Sequence, residues 1–117
     1  HPYKKGMYHS PPSGADIVAI LQNATMRGTQ LALVFAKEGV YLYGPTEELL
    51  QEYIALKGKA RKKLEDEIVK TTDKAYDLAE SHRDVDIFAN AMEDRGFEYQ
   101  FFKYDKDISF YINIINA

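Results

Sequence analysis

The fold is decided by residues 46–80, TEELLQEYIALKGKARKKLEDEIVKTTDKAYDLAE, which lie between two segments rich in β-forming residues. The apolar residues of this stretch recur at helical spacing, and the apolar stripe narrows after Gly58. Thr46 is placed to cap a helix, and the two glutamates that follow it suit the positive end of a helix dipole. We therefore predict a long central helix from Thr46 to about Glu80.

Gly58 leaves two alternatives for this helix. Glycine in a helix interior costs about 1 kcal/mol relative to alanine, so Gly58 lies either within one helix or at a break between two. The unbroken helix is the favoured alternative, and about 35 residues at about 1.5 Å each would form a rod of about 50 Å. Such a rod is longer than one domain of 117 residues needs for its own core. Its second half would then need a partner.

The chain divides into two predicted parts. Residues 1–12 are rich in tyrosine and proline without periodicity, which predicts an extended N-terminal arm that packs only locally. The remainder, 13–117, is predicted to be a single α+β domain. Ser13 and Asp16 have the spacing of a capping box, and an apolar face follows them until Gly28 ends the first helix.

Residues 29–43 are rich in β-formers and are interrupted once, which predicts a β-hairpin. We expect its loop to centre on Glu38, with Gly39 in the left-handed conformation. Phe35 then opposes Tyr41, and both faces of the hairpin are apolar. A half-exposed antiparallel pair usually alternates apolar and polar residues, so this hairpin is predicted to be covered on both sides or to meet another chain.

The C-terminal third is predicted to form a short helix and a second hairpin. Residues 81–84 resemble another capping box, and Gly96 stops the helix that follows. Residues 97–104 and 108–115 then alternate as two paired strands, with the aromatic residues of the first strand inside and the polar residues between them outside. The predicted fold class is α+β in the order α-β-β-α-α-β-β, with antiparallel hairpins packed with the long central helix.

Composition excludes several classes of protein. The chain is 45% apolar and 28% charged, which is typical of one ordinary folded domain. It contains no cysteine, so disulfides, thiolate metal sites and cysteine nucleophiles are ruled out. A net charge of −3 argues against a surface built throughout to neutralise phosphates. We expect no cofactor, no metal and no membrane partner, and a cytoplasmic location, although a chain that begins at His1 leaves room for a removed leader.

Acidic residues are the nearest approach to a catalytic constellation. Asp84, Asp86 and Glu93 could serve a small metal-dependent hydrolase, because carboxylates bind hard cations and share acid and base roles. Their predicted helix face points to water, so solvated surface charge is the simpler interpretation. His1 and His9 lie in the arm without a helix or strand to fix their spacing, so we expect no metal site there, and Ser10 and Ser13 lack the sequence pattern of a nucleophile elbow.

A basic run is the second functional candidate. Five cations fall within seven residues and could bind nucleic acid or an acidic partner by neutralising its charge. Three acidic residues at positions 65–67 partly neutralise the run, so a solvated helix face is the competing interpretation. The basic residues are Lys57, Lys59, Arg61, Lys62 and Lys63.

The leading hypothesis is a non-enzymatic interaction or regulatory protein that associates with itself, most simply as a homodimer, or with another protein. It rests on the doubly apolar first hairpin, the length of the central helix and the lack of a catalytic constellation. Either the hairpin or the helix, or both, would form the contact. The predicted interface residues are Phe35, Tyr41, Tyr43, Leu64 and Ile68.

Overall fold

The computed structural model describes residues 9–28 and 31–104. This part of the chain is α+β, as the sequence predicted, and the predicted strand 108–115 lies outside it. The elements in chain order are α1 Gly14–Arg27, β1 Ala32–Phe35, β2 Gly39–Pro45, α2 Glu47–Ala55, α3 Gly58–His82, α4 Val85–Arg95 and β3 Phe97–Lys103.

The described strands form one antiparallel sheet in the order β1-β2-β3. Phe35 lies opposite Val40, so the predicted pairing of Phe35 with Tyr41 was wrong by one residue. The turn contains two residues rather than three, and Ala36 N–H closes it by donating to the carbonyl of Gly39 at 2.9 Å. A slip of one residue exchanges the two faces of a strand. Phe35 and Tyr41 therefore lie on opposite faces of the sheet, and Tyr41 is on the face toward the helices.

Gly39 is needed for space rather than for a left-handed backbone. Among the described glycines, those with positive φ are at positions 28, 58 and 96. A Cβ atom on Gly39 would lie 2.1 Å from the carbonyl oxygen of Phe102 and 2.7 Å from the ring of Phe101. The close approach of β3 to the start of β2 therefore requires glycine.

The predicted central helix is broken, so the favoured unbroken alternative was wrong. The helix α2 ends at Ala55, and α3 begins at Gly58, which has a φ of 55°. The guanidinium of Arg61 lies 4.5 Å from the ring centre of Tyr53, whereas residues eight apart in one helix are separated by about 12 Å along its axis. Arg61 Nε also donates to the carbonyl of Leu56 at 3.0 Å, which satisfies a carbonyl just past the end of α2.

The helix α3 serves the protein's own core along most of its length. It packs against α1 and α4, so Ala75 and Ala79 in its second half are buried without a partner, whereas Leu78 stays exposed. The length of the helix is therefore no longer one of the reasons for expecting an interaction protein. The buried residues of α3 are Leu64, Ile68, Thr72, Ala75 and Ala79.

Helix caps explain most of the remaining boundaries. Ser13 and Asp16 form the predicted capping box of α1. The second predicted capping box was wrong, because Ser81 still belongs to α3. The helix α4 begins after Asp84, whose side chain accepts a hydrogen bond from the N–H of Asp86 at 3.0 Å. Within the described ranges, no helix combines the length and the apolar character needed to cross a membrane.

The described end of the N-terminal arm is buried. His9 and Ser10 are 1% and 0% exposed, and the His9 ring lies 5.5 Å from that of Tyr76 on α3. The expectation that the arm packs only locally was therefore wrong for this part. Pro11 is also fully buried, and because Pro12 follows it, Pro11 is restricted to an extended conformation shortly before α1.

Candidate functional site

The outer edge of β1 is the surface of most interest. The strand order places β1 at one side of the sheet, and no strand among residues 9–28 and 31–104 pairs with its outer side. An edge strand presents a row of backbone N–H and C=O groups that suit pairing with another strand. The functional question is therefore which groups β1 presents and what surrounds them.

The hydrogen bonds of the turn determine which backbone groups face outward. Ala36 and Gly39 form the hydrogen-bonded pair that closes the hairpin. In an antiparallel pair, opposed residues alternate between hydrogen-bonded and non-hydrogen-bonded positions. Val34 therefore bonds toward β2, whereas the N–H and C=O groups of Leu33 and Phe35 point to the outer edge.

The side chains beside these groups are apolar and exposed. Phe35 is 59% exposed, and Leu31, directly before the strand, is 50% exposed. The strand itself, Ala32–Phe35, contains no charged residue and no proline, which are common means by which proteins prevent edge strands from pairing. The edge is therefore suited to pair.

The predicted interface residues fall into two groups. Phe35 is exposed at the edge of β1. The other four form part of the core, where the helices meet the inner face of the sheet, and their side chains are occupied by the protein's own packing. These buried residues are Tyr41, Tyr43, Leu64 and Ile68.

The basic run is divided by the structure. Arg61 is used at the break between α2 and α3, where it lies over Tyr53. Lys62 Nζ lies 3.0 Å from Asp66 Oδ1 one helical turn on, and the hydrogen bond with Asp66 raises the pKa of Lys62. The three other lysines are exposed and have no carboxylate partner within the described part of the chain; they are Lys57, Lys59 and Lys63.

The acidic residues are not gathered into a site. Asp84 caps α4 and Asp86 lies in its first turn, whereas Glu93 lies two turns further along the helix. Over residues 9–28 and 31–104, no group of three His, Cys, Asp or Glu side chains is arranged to hold a metal ion. The geometry thus gives no support to the hydrolase hypothesis.

A buried polar cluster that the sequence did not reveal lies under the hairpin turn. His9 Nδ1 lies 3.1 Å from a carboxylate oxygen of Glu80. The N–H of Ser10 donates to Glu38 Oε2 at 2.5 Å, and the hydroxyl of Tyr41 donates to the same oxygen. These contacts bring together the arm, the turn and the end of α3, which are far apart in sequence. The one local signal was the proline pair that follows Ser10.

Burial dominates the electrostatics of this cluster. It lowers the pKa of His9, although Glu80 acts in the opposite direction, so the imidazole is neutral at pH 7. Burial, reinforced by the hydrogen bond to Glu38, raises the pKa of Tyr41, whose hydroxyl remains a donor. The side chain of Ser10 is closed to solvent, and a substrate cannot reach its hydroxyl in this conformation. The cluster thus anchors the arm to the hairpin and offers no accessible nucleophile.

A cleft of about 500 Å³ opens beside the cluster, between the hairpin turn, β3 and the start of α4. Its volume lies within the range of about 300–1,000 Å³ that small-molecule sites occupy. Lys37, Lys103 and Glu38 contribute charges of both signs to its lining, and Phe101 and Tyr104 contribute aromatic rings. Because the charges oppose one another, the lining selects no single class of ligand.

Comparison of the chain with models of protein families, with curated proteins and with solved structures found no match. The function must therefore be argued from the geometry of this molecule alone.

Proposed function

We propose that this protein is a non-enzymatic interaction or regulatory protein that associates with itself through the outer edge of β1. The observation that supports the proposal is the coincidence of outward backbone groups with exposed apolar side chains. Leu33 and Phe35 supply the backbone groups, and Leu31 and Phe35 supply exposed apolar side chains. A second strand docked there gains hydrogen bonds and apolar burial together.

The size of the edge sets the strength of the association. A backbone hydrogen bond contributes about 0.5–1.5 kcal/mol net, and apolar burial contributes about 25 cal/mol per Å². Stable interfaces bury about 1,200–2,000 Å² in total, which exceeds what a strand of four residues supplies by itself. We therefore expect a dimer whose population rises with protein concentration rather than a permanent one.

The test is the mass in solution, measured by light scattering on a sizing column at two protein concentrations. We expect the wild-type mass to rise toward that of a dimer at the higher concentration. Phe35→Lys should remain monomeric at both, because it places a charge on the apolar edge. The matched controls are Leu78→Lys and Ile54→Lys, which change exposed apolar residues of α3 and α2 and should associate like the wild type.

Two results would contradict the proposal. A wild-type mass that stays monomeric at both concentrations would remove self-association. A dimer that Phe35→Lys leaves intact, but that Leu78→Lys or Ile54→Lys disrupts, would move the contact to the helices.

The second candidate function is the binding of nucleic acid or of an acidic protein at the start of α3. The observation that favours it is electrostatic. Lys57 and Lys59 lie at the helix N-terminus, where the first turn has no acidic residue and no side chain caps the helix. Cations are unfavourable at this positive end of the helix dipole, whereas an anion is favourable there. A bound phosphate or carboxylate would relieve that repulsion.

This alternative is tested by retardation of single- and double-stranded probes at several salt concentrations. Simultaneous replacement of Lys57, Lys59 and Lys63 by glutamate should abolish binding. For the variant in which all three are alanine, a plot of the logarithm of the affinity against the logarithm of the salt concentration should be less steep. The slope should decrease by about one unit for each phosphate that the protein no longer neutralises. The matched control is Lys70→Glu with Lys74→Glu, on exposed positions further along α3. If no probe is retarded at low salt, the nucleic-acid form of this alternative is excluded.

A further inference from the structure

The outward groups of β1 are symmetric about one residue. Leu33 and Phe35 point to the outer edge, and Val34 lies between them. We infer that β1 pairs antiparallel with β1 of a second copy about a two-fold axis at Val34. The described strands of the two copies, β1, β2 and β3 of each, would then join into one continuous sheet. This inference rests on the proposed function, because it specifies the geometry of the same contact.

The pattern of hydrogen bonds restricts the register. With the axis at Val34, Leu33 of one copy lies opposite Phe35 of the other, and each of these two pairs exchanges two hydrogen bonds. In a register displaced by one residue, each residue whose N–H and C=O groups point to the outer edge lies opposite a residue whose N–H and C=O groups point to its own β2. Only displacements by two residues therefore preserve the bonding.

The two neighbouring registers fit less well. An axis at Phe35 sets Leu33 opposite the charged Lys37 in the turn. An axis at Leu33 sets Phe35 opposite Leu31, which precedes the assigned strand. With the axis at Val34, every hydrogen-bonded pair lies within β1, so this register uses the strand most completely.

The side chains agree with the axis at Val34. Leu33 and Phe35 lie on the face of the sheet away from the helices, so two Leu–Phe pairs form there across the axis. Val34 faces the helices and packs against the core cluster of its own copy. It would meet Val34 of the second copy directly. All of these contacts are apolar, so the same patch on the two copies is complementary to itself, as a two-fold interface requires.

Cysteine cross-linking tests the register, because the natural chain contains no cysteine. Val34→Cys places two thiols in a non-hydrogen-bonded pair with a Cα separation of about 4.5 Å, which a disulfide can span. Under mild oxidation we expect disulfide dimers to form at least tenfold faster in Val34→Cys than in Leu78→Cys, because pairing raises the local thiol concentration from micromolar to about millimolar. Leu33→Cys and Phe35→Cys report the two neighbouring registers.

The outcomes separate the register from the proposed function. A dimer by light scattering with Leu33→Cys or Phe35→Cys as the fastest variant overturns the axis at Val34 but leaves self-association through the edge. A dimer in which none of the three edge variants outpaces Leu78→Cys overturns edge pairing altogether. A wild-type protein that is monomeric at every concentration overturns both the inference and the proposed function.

Hydrogen exchange of the unmodified protein gives a second measurement that does not depend on how the variants fold. The amides of Leu33 and Phe35 should become protected as the concentration rises. The amide of Val34, which already bonds to β2, should show little further protection and serves as the internal control. Amides at 33 and 35 that exchange equally fast in monomer and dimer would overturn the inference.

Discussion

The two strands of the first hairpin are joined by a turn of two residues and are both apolar, yet they are buried to different extents. In β2, every residue except Leu42 is buried. In β1, no residue is buried and Phe35 is exposed. The strand β2 has a neighbour on each side, whereas β1 has a described neighbour on one side only. Position in the sheet, rather than composition, thus decides which strand belongs to the core.

The two strands should therefore differ in what their substitutions cost. Substitutions in β2 should lower the free energy of unfolding because they open cavities or displace neighbours. Substitutions on the outer edge of β1 should change association and leave the stability of the monomer nearly constant. This contrast is best measured at protein concentrations where the wild type is monomeric.

The largest effect is expected from Tyr41→Ala in the centre of β2. Tyr41 is 1% exposed, its ring lies 4.7 Å from that of Phe101, and its hydroxyl donates to Glu38. Removing a buried aromatic side chain costs about 3–5 kcal/mol. Urea unfolding followed by circular dichroism measures the loss. A decrease of less than about 1 kcal/mol in the free energy of unfolding would contradict the placement of β2 in the core.

Gly39→Ala should have the next largest effect. The added methyl group would meet the carbonyl oxygen of Phe102, which is backbone and cannot rotate away. Overpacking of this kind costs about 1–3 kcal/mol. Urea unfolding again measures the change, and hydrogen exchange should show weaker protection of β3 opposite the turn. If the variant is as stable as the wild type, β3 does not approach Gly39 as closely as described.

The buried end of the hairpin should also respond to pH through His9. Burial lowers the pKa of His9 in the folded protein below its usual value of 6.5, so the unfolded chain takes up the proton first. Stability should therefore fall as the pH decreases below 6.5, with a slope of up to about 1.4 kcal/mol per pH unit, until the pH passes below the folded-state pKa. His9→Asn keeps a donor toward Glu80 and should remove this part of the slope.

The control for that experiment is His82→Asn, because His82 is exposed at the end of α3. This variant should keep the wild-type dependence of stability on pH. Equal slopes in the wild type and His9→Asn, measured by urea unfolding between pH 5 and 8, would show that another group carries the dependence.

The sequence predicted those elements that local patterns determine. The capping box at Ser13 marked the start of α1. In β3, Phe97 and Tyr99 are inside and Glu98 and Gln100 are outside, as their alternation indicated. In both cases the information lies within a few neighbouring residues, so no knowledge of distant contacts was required.

Boundaries that depend on distant contacts were predicted wrongly. In the observed hairpin, Phe102 of β3 closely approaches Gly39, and β3 begins more than fifty residues after the turn. At the helix break, Arg61 folds back over Tyr53, whereas the sequence indicated the break only through the ambiguous Gly58. Both corrections arise because tertiary packing overrides a local pattern.

The candidate site was predictable only in part. The apolar hairpin indicated an interface and included Phe35, which is exposed. The sequence could not show that Phe35 is exposed whereas Tyr41 is buried, because the order of strands in a sheet is not a local property. The cluster of His9, Glu38 and Glu80 was missed for the same reason, since its members come from three distant segments.

The smallest effect on folding stability is expected from Phe35→Ala on the outer edge of β1. Phe35 is 59% exposed, so its truncation should change the free energy of monomer unfolding by no more than about 0.5 kcal/mol. Its effect should appear instead in the concentration dependence of the melting temperature. A dimer that forms only from folded chains raises the melting temperature as concentration increases, and this rise should shrink in the variant. A large loss of stability at low concentration would instead make Phe35 part of the monomer's own core, and the contrast between β1 and β2 would disappear.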